Sequence, residues 1–416
     1  MTIVADATAA TVGGTRRAAQ VELRTSGGTT GSATTGLPAG LADAVVAWIT
    51  SELGRLRGRS VEELIDGLGS EEARWNDAAS HSSVEDRDAA RAGVALVMNA
   101  LWDLWAQTNE CPLWKLVVNL SPEHLVRSLD LRWVEDVLPA VEARNLLETR
   151  VRGRSAREAD LRREGYPVVP MVPLAHADAG SRIDALRGAG WPALRIGLSD
   201  DALDARQRGV LIQLTSGPGN RVRVAVSPDR PWSPLTMLER ATELAELGVE
   251  TLVEPGDPSD VVALGALRKH LGAHSGVRLE LTAGDGLHSP VPVKQLLATG
   301  AVDGCRLNPA RLGVSASLTL LLLAARLRVP VSFAAGAGPA ALSTAGLTTA
   351  LHLAAVDDIA IGASLDRRWI DLGASPDLLA AVLGGAPGRC RLPNPPTAGS
   401  WSDSQGADRP LSRTLR

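Results

Sequence analysis

Three carboxylates, Asp229, Glu254 and Asp285, follow three successive short apolar runs in the middle of the chain. If those runs are neighbouring strands, their ends bring three acids to one place, a pattern that suits a hard divalent cation with oxygen ligands or proton transfer. His288 stands three residues after Asp285 and could pair with it as acid and base; a local hydrogen bond in a loop is the plainer alternative. His176, after an earlier apolar run, is the other histidine placed to reach the same end. Arg195 is suited to holding an anion and unsuited to taking a proton, because a guanidinium stays charged at any useful pH. Only Lys115, Lys269 and Lys294 among the 43 basic residues are lysines, and each sits in helical sequence. A lysine base at a strand end is thereby excluded. AGAGPA at Ala335–Ala340 could cradle a phosphate, but without a following Lys or Ser-Thr pair it reads as a tight loop.

The frame that must position these residues begins at Gly165, where short apolar runs alternate with helical segments. YPVVPMV, ALRIGL, RVRVAVS, ETLVE, RLELT, DGCRL, PVSF and IAIGA start near 166, 193, 221, 250, 278, 303, 330 and 359. Eight such units predict an α/β fold, a closed parallel (β/α) barrel whose active site lies where the strands end. Upstream, LADAVVAWITSELGRL spaces Val45, Val46, Ile49 and Leu53 by three and four residues, which predicts a helix with one buried face. A second helix is predicted from near Val84 to Ala106. Trp102, Trp105 and Trp114 lie in apolar helical sequence without interleaved basic residues and read as packing aromatics, not as a stacking platform. AAQVELRT at Ala18–Thr25 alternates like a strand. The expected plan is a disordered N-terminus at 1–17, a mostly helical capping domain at 18–160, the barrel at 161–385, and a C-terminal segment at 386–416 that returns to the capping domain and ends in disorder.

A chain of 416 residues, 45% hydrophobic, is long enough for one large domain and one smaller one, each with a core. A net charge of −4 gives no electrostatic reason to expect nucleic acid or a membrane surface as partner. Cys111, Cys305 and Cys390 are too scattered for a metal knuckle and too few for a disulfide framework. The first residues lack the basic start and apolar run of a signal peptide, and the most apolar window, Leu318–Ala325, is too short to span a bilayer. Cytoplasmic localisation is the expectation, with a small-molecule ligand of anionic character as partner and a homo-oligomer compatible with the sequence.

NALWDLWAQ followed by PLWKLVV, GYP at Gly165–Pro167, KQLL at Lys294–Leu297 and RLG at Arg311–Gly313 resemble, in order and spacing, the enolase superfamily of mandelate racemase/muconate lactonizing type, in particular its L-fuconate dehydratase branch. The resemblance runs from about residue 18 to 400. It implies a (β/α) barrel with a small α+β capping domain, here shortened at its N-terminus, that closes the mouth. It further implies Mg²⁺ held by three strand-end carboxylates, abstraction of a proton beside a sugar-acid carboxylate, and loss of water from the enediolate. The metal matters there because it stabilises a dianionic intermediate.

The resemblance also shows what this chain has exchanged. The family's Lys-x-Lys falls on Arg195-Ile196-Gly197, so the lysine nearest the substrate becomes a glycine. The first two metal carboxylates fall on Ser227 and Val253, with Asp229 and Glu254 close by, and only the third keeps an acid, at Asp285. The Asp that orients the catalytic His becomes Asn308, the His itself aligns with Ala334, and a Glu of the eighth strand becomes Asp366. No metal ligands and no cofactor are expected, the family's Mg²⁺ included. Asp285 and His288 are left as candidate catalytic residues, with Arg195, Asp229, Glu254, Asn308, Asp366 and His176 as candidates for binding substrate. The expected function is a metal-independent lyase, isomerase or cyclase of secondary metabolism. The alternatives are a pseudoenzyme that binds a metabolite or protein, and an ordinary acid-sugar dehydratase.

Overall fold

Alternating polar and small apolar residues at the start of the chain form three antiparallel strands, β1 (Val4–Val12), β2 (Arg17–Thr25) and β3 (Thr30–Leu37). The computed structural model describes residues 2–12, 17–37, 39–83, 86–199, 203–216, 222–273, 279–335, 343–362, 369–373 and 386–392. The expected disorder at 1–17 is thus corrected, since Val4–Val12 pairs along its length with Ala18–Thr25. Ala, Thr and Gly hid the alternation there by blurring the contrast between buried and exposed positions. The capping domain continues through eight helices, α1 (Ala39–Glu52), α2 (Val61–Asp66), α3 (Leu68–Ser80), α4 (Arg87–Thr108), α5 (Leu113–Asn119), α6 (Pro122–Arg127), α7 (Ala140–Val151) and α8 (Arg154–Glu164). Val45, Ile49 and Leu53 are buried as their spacing requires. Trp102 stacks on Trp105 at 5.1 Å, and the Arg162 guanidinium lies over the Trp114 ring, so all three aromatics are packing residues.

The barrel is laid down as β4 (Tyr166–Val169) and β5 (Met171–Pro173), α9 (Ala179–Gly188), β6 (Ala193–Leu198), α10 (Ala205–Ser216), β7 (Arg223–Pro228), α11 (Pro234–Glu246), β8 (Thr251–Val253), α12 (Val261–Ala273), β9 (Glu280–Ala283), α13 (Pro290–Ala298), β10 (Gly304–Leu307), α14 (Pro309–Leu327), β11 (Val331–Ala334), α15 (Ser343–Val356) and β12 (Ile370–Asp371). β4 and β5 are halves of one strand, interrupted at Pro170, which has no N–H to donate. β5 pairs with β6 and β4 pairs with β12, so the parallel sheet closes on itself.

One expectation fails near the end of the chain. Ile359–Ile361 of the IAIGA run lie in a π-helical turn, Asp357–Ile361, and the eighth strand comes later at Ile370–Asp371. A short apolar run is as compatible with buried helix as with strand. Of the C-terminal segment, Arg389–Cys390, β13, pairs antiparallel with Tyr166 and Pro167 at the foot of the barrel; 393–416, where the return to the capping domain and the disordered end are expected, lie outside the described residues.

The two domains share one core. Gly313, at φ +78°, bends α14 and brings its backbone against Ala95 of α4, where a Cβ would stand 3.1 Å from the Ala95 Cα. Beside it the Val314 N–H donates to Asn99 Oδ1 at 2.8 Å, and Trp102 Nε1 donates to Ser315 Oγ at 2.8 Å. α14 is long and apolar enough to cross a membrane by composition, but 72% of that window is buried inside the protein.

In α3, the carboxyl of buried Glu72 accepts the Asp130 N–H at 3.0 Å. Burial pushes its pKa up to about 8, against the pull of that amide. Since the folded form holds this proton more tightly, stability from Glu72 falls as pH rises from about 4.5 to about 8. Chemical denaturation across that range should show a steeper fall in wild type than in Glu72→Gln, with the difference persisting up to about pH 8.

Candidate active site at the barrel mouth

Alternation along the strands sends every second side chain into the barrel. Arg195 and Gly197 share the inward face of β6, Gly197 is in register with Ser227 on β7, and Arg306 shares a face with Asn308 at the end of β10. The result is a chain of charges. Arg195 Nη1 donates to Ser227 Oγ at 2.7 Å and Nη2 donates to Asp371 Oδ1 at 3.1 Å, while its Nε touches the same carboxylate without hydrogen-bond alignment. Arg306 Nη1 donates to Asp371 Oδ2 at 2.7 Å, and its Nε donates to Asp285 Oδ2 at 3.3 Å. Asn308 Nδ2 donates to Asp285 Oδ1 at 2.7 Å while its Oδ1 accepts from Ala310 N–H and caps α14.

The network is deeply buried, with side-chain exposures of 12% for Arg195, 4% for Arg306 and 0% for Asp371. Burial alone would raise the Asp371 pKa, but Arg195 and Arg306 outweigh it and hold the carboxyl below its usual range. For Arg306 burial works against the charge, and Asp371, Asp285 and Glu254 more than compensate, so it is held protonated. Burial, with the like charge of Arg306, pulls Arg195 below its ordinary value.

Glu254 stands above this network, half-buried at the end of β8. Its Oε1 accepts the Asp285 N–H at 2.8 Å, and its own N–H donates to Thr282 O at 2.9 Å. The residue adopts φ +49°, although a residue before proline favours extended backbone, so the rim holds strain of about 1–3 kcal/mol here. Burial, and then the charge of Asp285, push the Glu254 carboxyl up to about 7. A carboxyl near neutrality at a barrel mouth is equipped to take or give a proton at working pH.

The other candidates scatter. His288 is not paired with Asp285: Arg311 Nη1 donates to its Nε2 at 2.8 Å, which places the ring proton on Nδ1. Burial and then the Arg311 charge lower its pKa. His176 is exposed on the loop after β5. Asp229 is exposed at the rim, its Oδ1 3.4 Å from where a Cβ on Gly197 would be. Asp366 lies outside the described residues. Arg195 faces inward as expected, with one N–H of Nη1 given to Ser227 and one of Nη2 to Asp371. Arg306 and Asp371 were not singled out from sequence. Arg306 could have been, since it stands two residues before Asn308 and must share its face; Asp371 was hidden by the misplaced eighth strand. Lys115 and Lys294 are ion-paired on α5 and α13, away from the mouth, and Lys269 lies on α12.

A divalent ion of the kind the family resemblance implies does not fit this donor set. Mg²⁺ needs a near-octahedral shell of oxygens. Where two of its carboxylates would stand are Ser227, already bound by Arg195, and buried Val253. Among the described residues no three of His, Cys, Asp and Glu form a group able to hold a metal.

Residues 179–394 match the family described as enolase C-terminal domain-like. Mitochondrial enolase superfamily member 1 of Xenopus laevis is 30% identical over 293 residues, 69% of this chain and 63% of that protein. L-galactonate dehydratase of Hypocrea jecorina is 26% identical over 303 residues, 70% of this chain and 65% of its own. The crystal structure of human mitochondrial enolase superfamily member 1 superposes with a TM-score of 0.79 at 22% identity, covering 89% of this chain and 87% of that one. The matched region spans less than two thirds of the length of these curated relatives.

Proposed function

The chain belongs to the enolase superfamily, and on that premise we propose that it is a divergent member, a lyase or isomerase that moves protons at the barrel mouth without a divalent ion. The observation that carries this reading is the placement of Glu254, half-buried at the rim with its carboxyl against the Asp285 amide, where burial and the Asp285 charge push its pKa up to about 7. In its ionised form it takes a proton from a carbon next to a carbonyl. The proton then returns to another carbon, or a β-substituent leaves.

Charge balance narrows the substrate. Two guanidiniums face two carboxylates, Asp371 and Asp285, and the burial of Glu254 favours its neutral form, so no surplus positive charge greets an anion. Abstraction beside a carboxylate creates a dianion, which needs a strong nearby cation; abstraction beside a ketone, aldehyde or lactone creates a monoanion. A small neutral carbonyl compound therefore suits this site better than the sugar acids suggested by the dehydratase relative.

A non-catalytic binding protein is the second reading, favoured by the internal pairing of both barrel arginines. Deuterium wash-in from D₂O, followed by NMR in EDTA over a panel of lactones, keto sugars and sugar acids, separates the readings. Exchange into a neutral carbonyl compound is expected. Binding without exchange would leave the second reading standing, and Mg²⁺-dependent dehydration of a sugar acid would restore the ordinary dehydratase.

A further inference from the structure

We propose that the Arg306 guanidinium is this barrel's resident cation, a covalently attached replacement for a divalent ion that ties the end of β9 to β12 across the mouth. The inference rests on the metal-free reading above but does not need the catalytic part of it. Arg306 is the one side chain that reaches both Asp285 and Asp371 in the described network, through Nε at 3.3 Å and Nη1 at 2.7 Å. Its charge also lowers the pKa of Glu254, which burial and Asp285 raise. The fork of a guanidinium suits this task because its donors diverge from one rigid plane.

The backbone is shaped for the same contact. Gly284, at φ +131°, lies against the Arg306 carbonyl, where a Cβ would be 2.7 Å from the oxygen. Only glycine permits that approach, and it brings Asp285, the next residue, over the guanidinium. Two of the acids that the family pattern would place at the ends of β7, β8 and β9 are exchanged here for Ser227 and Val253, while an acid is kept at Asp285 and another stands on the eighth strand at Asp371. The two that remain are the two that Arg306 of β10 holds.

Melting curves test this directly. Wild type should melt at one temperature in EDTA and in millimolar MgCl₂, CaCl₂ or MnCl₂. Arg306→Met leaves Asp285 and Asp371 without their shared cation, so it should melt several degrees lower in EDTA and recover part of the loss in CaCl₂ or MnCl₂. Asp285→Asn added to Arg306→Met should abolish the recovery. Arg306→Lys keeps a charge but loses the fork, so it should melt between wild type and Arg306→Met and be indifferent to metal. A rise in the wild-type melting temperature with divalent ions would overturn the proposal. So would an Arg306→Met protein that folds but ignores every divalent ion, or one that fails to fold even in their presence while Arg306→Lys folds. Absence of deuterium exchange would sink the catalytic reading alone and leave these outcomes unchanged.

Discussion

Replacing Asp371 with asparagine is expected to cost about 3–5 kcal/mol of stability, the largest loss of any single substitution considered for the barrel. Its carboxylate is shared by Arg195 and Arg306, accepts the Gly373 N–H at 2.8 Å, and is fully shielded from solvent. Removing the charge while keeping the shape strands two buried guanidiniums, each desolvated and without its main counter-charge. The urea midpoint at pH 7 should drop with little change in slope. The pH dependence has a definite sign. The folded-state pKa of Asp371 is depressed, so its stabilisation is present above the ordinary value of 3.8 and is lost as pH falls through the depressed one. Wild type should show that acid-side loss and Asp371→Asn should lack it. A loss below about 1 kcal/mol, the range of exposed ion pairs, would mean that Asp371 is not the shared partner of both arginines.

The second large effect concerns turnover. Glu254→Gln is expected to slow proton exchange by about 10²–10⁴-fold, the usual contribution of a positioned base, while the protein remains folded. Wild-type exchange should rise with pH and level off above about 7, where the Glu254 carboxyl is ionised. The variant should have no such inflection. The decline of stability that wild type shows between about 4.5 and about 7 should moreover be shallower in the variant, because a raised carboxyl pKa favours the folded state only while the proton is on. Unchanged exchange in Glu254→Gln would remove Glu254 from the chemistry.

The barrel was readable because each strand from Tyr166 to Ala334 is an apolar run bounded by turns and separated from the next by a helix-length segment. The eighth strand was not, since Ile370–Asp371 pairs over two residues and leaves no periodic trace, while IAIGA offered a stronger apolar signal nearby. That single misplacement concealed Asp371, the centre of the charge network. The face of Arg195 was legible from strand alternation, yet its partners come from β7 and β12, and no local pattern encodes contacts across a barrel. His288 illustrates the same limit. Its spacing from Asp285 suggested a pair, but the loop turns it toward Arg311 on α14. The near-neutral Glu254 was undetectable in principle, because its perturbation comes from burial beside Asp285, and its inward reach depends on a left-handed backbone angle that sequence does not advertise.

The bend at Gly313 also sets a timetable for synthesis. Trp102 must wait for Ser315, 213 residues later, before its indole N–H finds its acceptor, and Asn99 likewise waits for the Val314 amide. At ribosomal speeds of about 5–20 residues per second, the amphipathic face of α4 is out of the ribosome roughly 10–40 s before its partner helix exists. During that interval the face of α4 that carries Ala95, Asn99 and Trp102 has no partner to pack against, so the capping domain completes its core only when α14 arrives.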